Sequence, residues 1–135
     1  KAGGGAVVYI GSGSAFEGTS ERAATSCMRA AEAQLIKNFA SEFGQNNIRF
    51  NIISPGLIDA HGSKKLFENK AAVEEIVSKL PMRRYGTTQE ISSVVTFLVS
   101  EASSLVTGAV VPVDGGRLLH AAPNRLKNVF APDGD

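Results

Sequence analysis

The sequence has no tryptophan, one cysteine and two histidines, and nowhere an apolar run approaching the ~20 residues needed to span a bilayer. Cys27 cannot close an internal disulfide, and one cysteine with the widely separated His61 and His120 cannot assemble a metal site. An excess of one charge is also lacking. Fourteen Lys and Arg stand against thirteen Asp and Glu, leaving +1, too little for the basic field that nucleic-acid affinity needs. These absences predict a protein without a nucleic-acid or membrane partner, in a reducing, cytoplasmic setting. The amino end lacks the charged-then-apolar pattern of a signal peptide, and a first residue of Lys1 rather than Met leads us to expect a processed or partial chain. What is present is ordinary globular composition: 135 residues, 43% hydrophobic and 20% charged, enough for one core.

The run Ala6–Ile10 (AVVYI), bounded by glycines, predicts a buried strand. Apolar positions from Ala24 to Phe43 recur at helical spacing and predict a long helix over Ser20–Phe43, with Gly44 as a left-handed stop. Ile48–Ile53 (IRFNII) reads as a second strand ended by Pro55 and Gly56. A helix over Ala71–Lys79 should stop at Pro81. Thr87 followed three residues later by Glu90 is a capping-box signature, so a helix is expected over Thr88–Ser100. Ala109–Val113 reads as a third strand, with Pro112 suited to an edge. Strands alternating with helices imply an α/β fold with a parallel sheet and flanking helices. Residues 1–116 make that unit and 117–135 an irregular tail. Three strands apolar on both faces would leave an edge and a face under-covered, so a larger sheet or a docked partner is expected.

Gly11-Ser12-Gly13 after a strand invites a phosphate-binding reading, but the spacing disagrees. A dinucleotide loop needs its third glycine where Phe16 stands, and a phosphate loop needs lysine where Thr19 stands. A strand-to-loop turn is the simpler reading.

A more specific signal is the order GGGAVVYIGS, IRFNIISPG, YGTTQEIS, VTGAVVPVDGG, spread over Gly3 to Gly116. This order resembles the carboxy-terminal half of a short-chain dehydrogenase/reductase. The resemblance implies a Rossmann-like fold of which only this half is present, with about three strands and three or four helices. It also implies NAD or NADP as cofactor, bound by a glycine loop in an absent amino-terminal half, which puts binding by this chain alone in doubt. Family members use a serine to hold the substrate oxygen, a tyrosine to transfer the proton and a lysine four residues later that lowers the tyrosine pKa and binds the ribose. Counting back from Pro55-Gly56 without gaps puts the tyrosine position at Thr25 and the lysine position at Arg29, with Ser12 thirteen residues before Thr25. The serine survives and the proton donor does not. A threonine hydroxyl has no useful ionisation, and Arg29 cannot shed its proton. Such a loss typically removes ~100- to 10,000-fold in rate. The resemblance further places nicotinamide contacts at Pro55, Gly56 and the Ile58 backbone, while Ala60 replaces the family's threonine. Of the two tyrosines, Tyr9 lies on the strand face opposite Ser12 by alternation, and Tyr85 lies before the last helix. Arg49 and Asn51 match common family residues with a structural role.

Three functions follow from the resemblance. One is a non-catalytic subunit packed against a homologous chain through the helix 20–43 and the segment Thr88–Val113. The second is part of an active oxidoreductase, of a carbonyl or alcohol dehydrogenase kind or like a dienoyl-CoA reductase, completed by an amino-terminal half. The third is a halohydrin dehalogenase-like lyase, whose relatives carry arginine at the lysine position but keep the tyrosine.

Overall fold

The computed structural model describes residues 3–18 and 20–119; of the expected tail, the part from His120 onward lies outside them. The backbone is an α/β layer. Strand β1 (Gly5–Ile10) leads through α1 (Ala23–Phe43) to β2 (Ile48–Pro55). A two-residue β3 (Ile58–Asp59), the short α2 (Lys64–Phe67), α3 (Lys70–Lys79), a two-residue β4 (Gly86–Thr87) and α4 (Thr88–Val99) follow before β5 (Val110–Val113). The sheet order is β1-β2-β5, all parallel, with β3 and β4 forming a separate parallel bridge.

The expected strands and helices are all there, with shifted ends. Glu21 has a left-handed backbone, φ 64°, which no right-handed helix can contain. So α1 begins at Ala23 rather than Ser20. Its stop is also not at Gly44, which stays right-handed at φ −57° and opens a tight turn over residues 44–46. The left-handed residue is Asn47 at φ 58°, a type that tolerates this region. The β3–β4 bridge and α2 carry no periodic signal and were not expected.

Central position explains the burial of β2. Ile52 and Ile53 point to opposite faces, and both are fully buried, as are Asn51 and Ser54. Phe39 and Phe43 of α1 meet Phe50 of β2 with ring centroids 5.7 and 5.9 Å apart, which ties the helix to the sheet. On the other face Leu98 of α4 is fully buried. The edge strand β1 is different: Val7 and Ile10 are over two-fifths exposed, and on α1 Met28 and Leu35 are half exposed.

Asn51 donates to the Val106 carbonyl at 2.8 Å and accepts from the Ala109 amide at 3.1 Å, fixing the entry to β5. Gly56 sits where β2 meets the end of β5. A Cβ there would lie 2.6 Å from Asp114 Cα and 2.8 Å from its carbonyl oxygen. Both are backbone atoms, so Gly56→Ala is expected to destabilise by roughly 2–3 kcal/mol, read as a lowered urea midpoint with unchanged slope.

The capping box forms as predicted. Thr87 Oγ1 accepts from the Glu90 amide at 3.3 Å, and the Glu90 carboxylate accepts from the Thr87 amide at 2.9 Å. Arg84 clamps the same carboxylate at 3.1 and 2.6 Å. First Arg84 and then the Thr87 amide hold the Glu90 carboxyl at about 2 against an ordinary 4.5. A depressed folded-state value stabilises above the ordinary one and is lost as pH falls. The stability difference between wild type and Glu90→Gln should therefore hold at neutral pH and vanish between pH 4.5 and about 2, followed by urea melts across that range.

Candidate ligand-binding cleft

Ser12 follows β1 directly, positioned by the Gly11 amide, which donates to the Ile53 carbonyl at 2.8 Å and extends the sheet by one residue. Extended at φ −154°, Ser12 caps the tight turn Gly13–Ala15. Its hydroxyl accepts from the Ser14 amide at 3.3 Å and lies 2.9 Å from the Ser14 hydroxyl, which is itself nine-tenths buried. This pair of hydroxyls opens onto a cleft of about 900 Å³. Thr25 and Arg29 of α1 line the same cleft, which brings together the three residues that the resemblance assigns to catalytic positions. Arg22, Lys79 and Arg117 join them on the wall, and Leu57, Leu66, Ile76 and Leu80 supply its apolar part.

Neither tyrosine lines this cleft. The Tyr9 hydroxyl donates to the Glu32 carboxylate, while Arg29 Nη1 donates to the Tyr9 oxygen at 3.2 Å and to Glu32 at 2.9 Å. Burial and the hydrogen bond to Glu32 raise the Tyr9 pKa above 10, outweighing the Arg29 cation. Glu32 is pushed the other way, below its ordinary value, by its hydrogen bonds from Tyr9 and Arg29. Arg29 thus touches a phenol whose proton is held more tightly than usual, the reverse of what proton transfer at neutral pH needs. Tyr85 stacks edge-on with Phe67, centroids 4.9 Å apart, and lines a separate hollow of about 310 Å³.

Pro55, Gly56 and Ile58 are not on the wall of the Ser12 cleft. Gly56 donates its amide to the Val113 carbonyl at 3.0 Å. Ile58 lines the Tyr85 hollow, and its carbonyl accepts from the Ser63 hydroxyl at 2.6 Å. Ala60 has no hydroxyl, so this stretch lacks one of the contacts that the family resemblance places against a nicotinamide. Four polar cleft residues escaped sequence reasoning: Ser14, Arg22, Lys79 and Arg117. Ser14 lies in the tight turn after Ser12 and Arg22 precedes the first residue of α1, so neither strand alternation nor helical spacing places them. Lys79 and Arg117 carried no readable signal either.

The family described as enoyl-(acyl carrier protein) reductase matches residues 1–117. The rabbit (Oryctolagus cuniculus) dehydrogenase/reductase SDR family member 4 is 43% identical over 126 residues, 93% of this chain and 46% of the relative. A short-chain type dehydrogenase/reductase from Mycobacterium ulcerans superposes with a TM-score of 0.82 at 30% identity, over 95% of this chain and 46% of that one. A 4-hydroxyisoleucine dehydrogenase solved with NADH gives 0.79 at 37% identity, over 83% and 46%. The chain thus spans less than half the length of these relatives. Nothing in the matches supports the halohydrin-dehalogenase reading.

Proposed function

Because the chain belongs to the short-chain dehydrogenase/reductase family, we propose that it is a non-catalytic member, a subunit that keeps the family's cleft without its proton relay. One observation carries this reading: the cleft holding Ser12 is lined by Thr25 and Arg29 and by neither of the chain's two tyrosines. A carbonyl oxygen held by Ser12 would receive hydrogen bonds there but no proton from a phenol. NAD or NADP is the cofactor that family membership supports, with its site built outside this chain. Nicotinamide titration tests the reading, since the chain has no tryptophan to interfere with dihydronicotinamide fluorescence. Addition of NADH or NADPH should give no saturable enhancement and no turnover with carbonyl probes, whereas tight binding with turnover would contradict it.

The partner in this proposal is a homologous short-chain dehydrogenase subunit in the cytoplasm. Its contacts are α1, where Met28 and Leu35 are half exposed, and the region from α4 to β5, where Phe97 and Val99 are nearly so and Leu105 is 96% exposed. Surfaces of this kind support docking. Among the described residues no helix is long and apolar enough to cross a membrane. An active oxidoreductase completed by an amino-terminal half is the second reading, favoured by the retained Ser12 and by the partial coverage of the relatives. It requires a phenol from outside residues 12–31.

A further inference from the structure

The wall of the Ser12 cleft is assembled from four cations on separate segments: Arg22 ahead of α1, Arg29 within it, Lys79 at the end of α3 and Arg117 after β5. Among the described residues no carboxylate lines it. Three of these cations have acidic partners: Arg29 pairs with Glu32 at 2.9 Å, Lys79 with Glu75 at 2.6 Å, and Arg117 with Glu17. None of these three acids is among the lining residues. Arg29 and Arg117 each commit one terminal nitrogen to those pairs, leaving further donors on each guanidinium. Arg22 makes no ion pair or side-chain hydrogen bond among the described residues. Of the apolar lining residues, Leu57 and Leu80 are buried and Leu66 and Ile76 half-buried, giving the cleft an apolar part.

We propose that this cleft binds an amphiphilic anion: an apolar body laid on Leu57, Leu66, Ile76 and Leu80, with a carboxylate or phosphate head among the arginines and the Ser12, Ser14 and Thr25 hydroxyls. Planar guanidinium groups match both heads bidentately. An uncharged molecule of the same shape would use the apolar part and leave the cations to water. The inference rests on the preceding reading of the cleft as a pocket that holds a ligand without transferring hydride.

Calorimetric titration of the full chain with octanoate, octyl phosphate and 1-octanol tests it at low and at physiological salt. At least one anion should bind about tenfold or more tightly than octanol, and the tighter of the two identifies the head. The preference should shrink as salt rises. Arg22→Gln, on an exposed residue that the fold does not need, should lower anion affinity about five- to tenfold and leave octanol unchanged. Arg117→Gln gives an independent second variant with the same expected pattern. Equal binding of octanol and both anions, or full anion affinity in both variants, would overturn the inference. NADH absorbance with a carbonyl probe in the same samples separates the two proposals. Its oxidation contradicts the non-catalytic reading alone, and loss of the anion preference without oxidation contradicts this inference alone.

Discussion

Thr25→Tyr combined with Arg29→Lys is expected to raise NAD(P)H-dependent carbonyl reduction in the intact protein or its assembly by about 100- to 10,000-fold, the range that general acid-base assistance supplies. The expectation follows from where the two residues sit. Both already face the cleft that contains Ser12, so a phenol at position 25 would share a wall with the serine hydroxyl. A lysine at 29 would supply a compact cation beside it, able to lower its pKa. Each single variant should recover little, because groups that act as a unit are strongly non-additive. With tyrosine alone, Arg29 stays bound to Glu32 and Tyr9. With lysine alone, the cation has no phenol in the cleft to act on. Steady-state rates with NADH and NADPH across the four combinations decide the matter. A wild-type rate already equal to the double variant's would contradict the account.

The second large effect concerns stability. Arg49→Met is expected to cost about 3 kcal/mol, several times the ~1 kcal/mol of an ordinary single hydrogen bond. From β2 the Arg49 guanidinium donates to the Leu98 carbonyl at 2.9 Å, the Ser103 hydroxyl at 3.0 Å, and the Val106 and Ser100 carbonyls at 3.2 Å each. These acceptors lie at the end of α4 and in the chain leading to β5, where Ser103 is almost fully buried. Methionine keeps much of the apolar stem but removes all four donations. The carbonyls keep their bonds from Ser103 and Asn51, so the cost is that of the lost bonds from a charged donor, about 1.5–3 kcal/mol each at most. Thermal melts should show a midpoint lower by roughly 10 °C. A shift of only one or two degrees would mean that water replaces the guanidinium at little cost.

How much of this was legible beforehand differs by element. β2 announced itself through Ile48, Phe50, Ile52 and Ile53 in one short run, interrupted by Arg49 and Asn51 and closed by Pro55-Gly56. The start of α4 was readable because a capping box is a local device, complete within Thr87 and Glu90. The convergence of Ser12, Thr25 and Arg29 followed from a family register, since counting along the chain needs no coordinates. Other features join residues that are distant in sequence. The Tyr9–Arg29–Glu32 cluster spans β1 and α1 and exists only because α1 packs on the sheet. The cationic wall joins Arg22 to Lys79 and Arg117, whose meeting no periodicity encodes. The stop of α1 fell on Asn47 rather than Gly44 because a tight turn intervened, a choice that propensity for glycine does not reveal.

Single-turnover transfer from 4-deuterated NADPH and NADH to carbonyl probes, with product deuterium read by mass spectrometry, tests the central claim most directly. The account predicts products without deuterium above the uncatalysed background, from wild type and Tyr9→Phe alike. Deuterium transfer by the wild type that disappears in Tyr9→Phe would show that the phenol held by Glu32 reaches the substrate after all, and would contradict it.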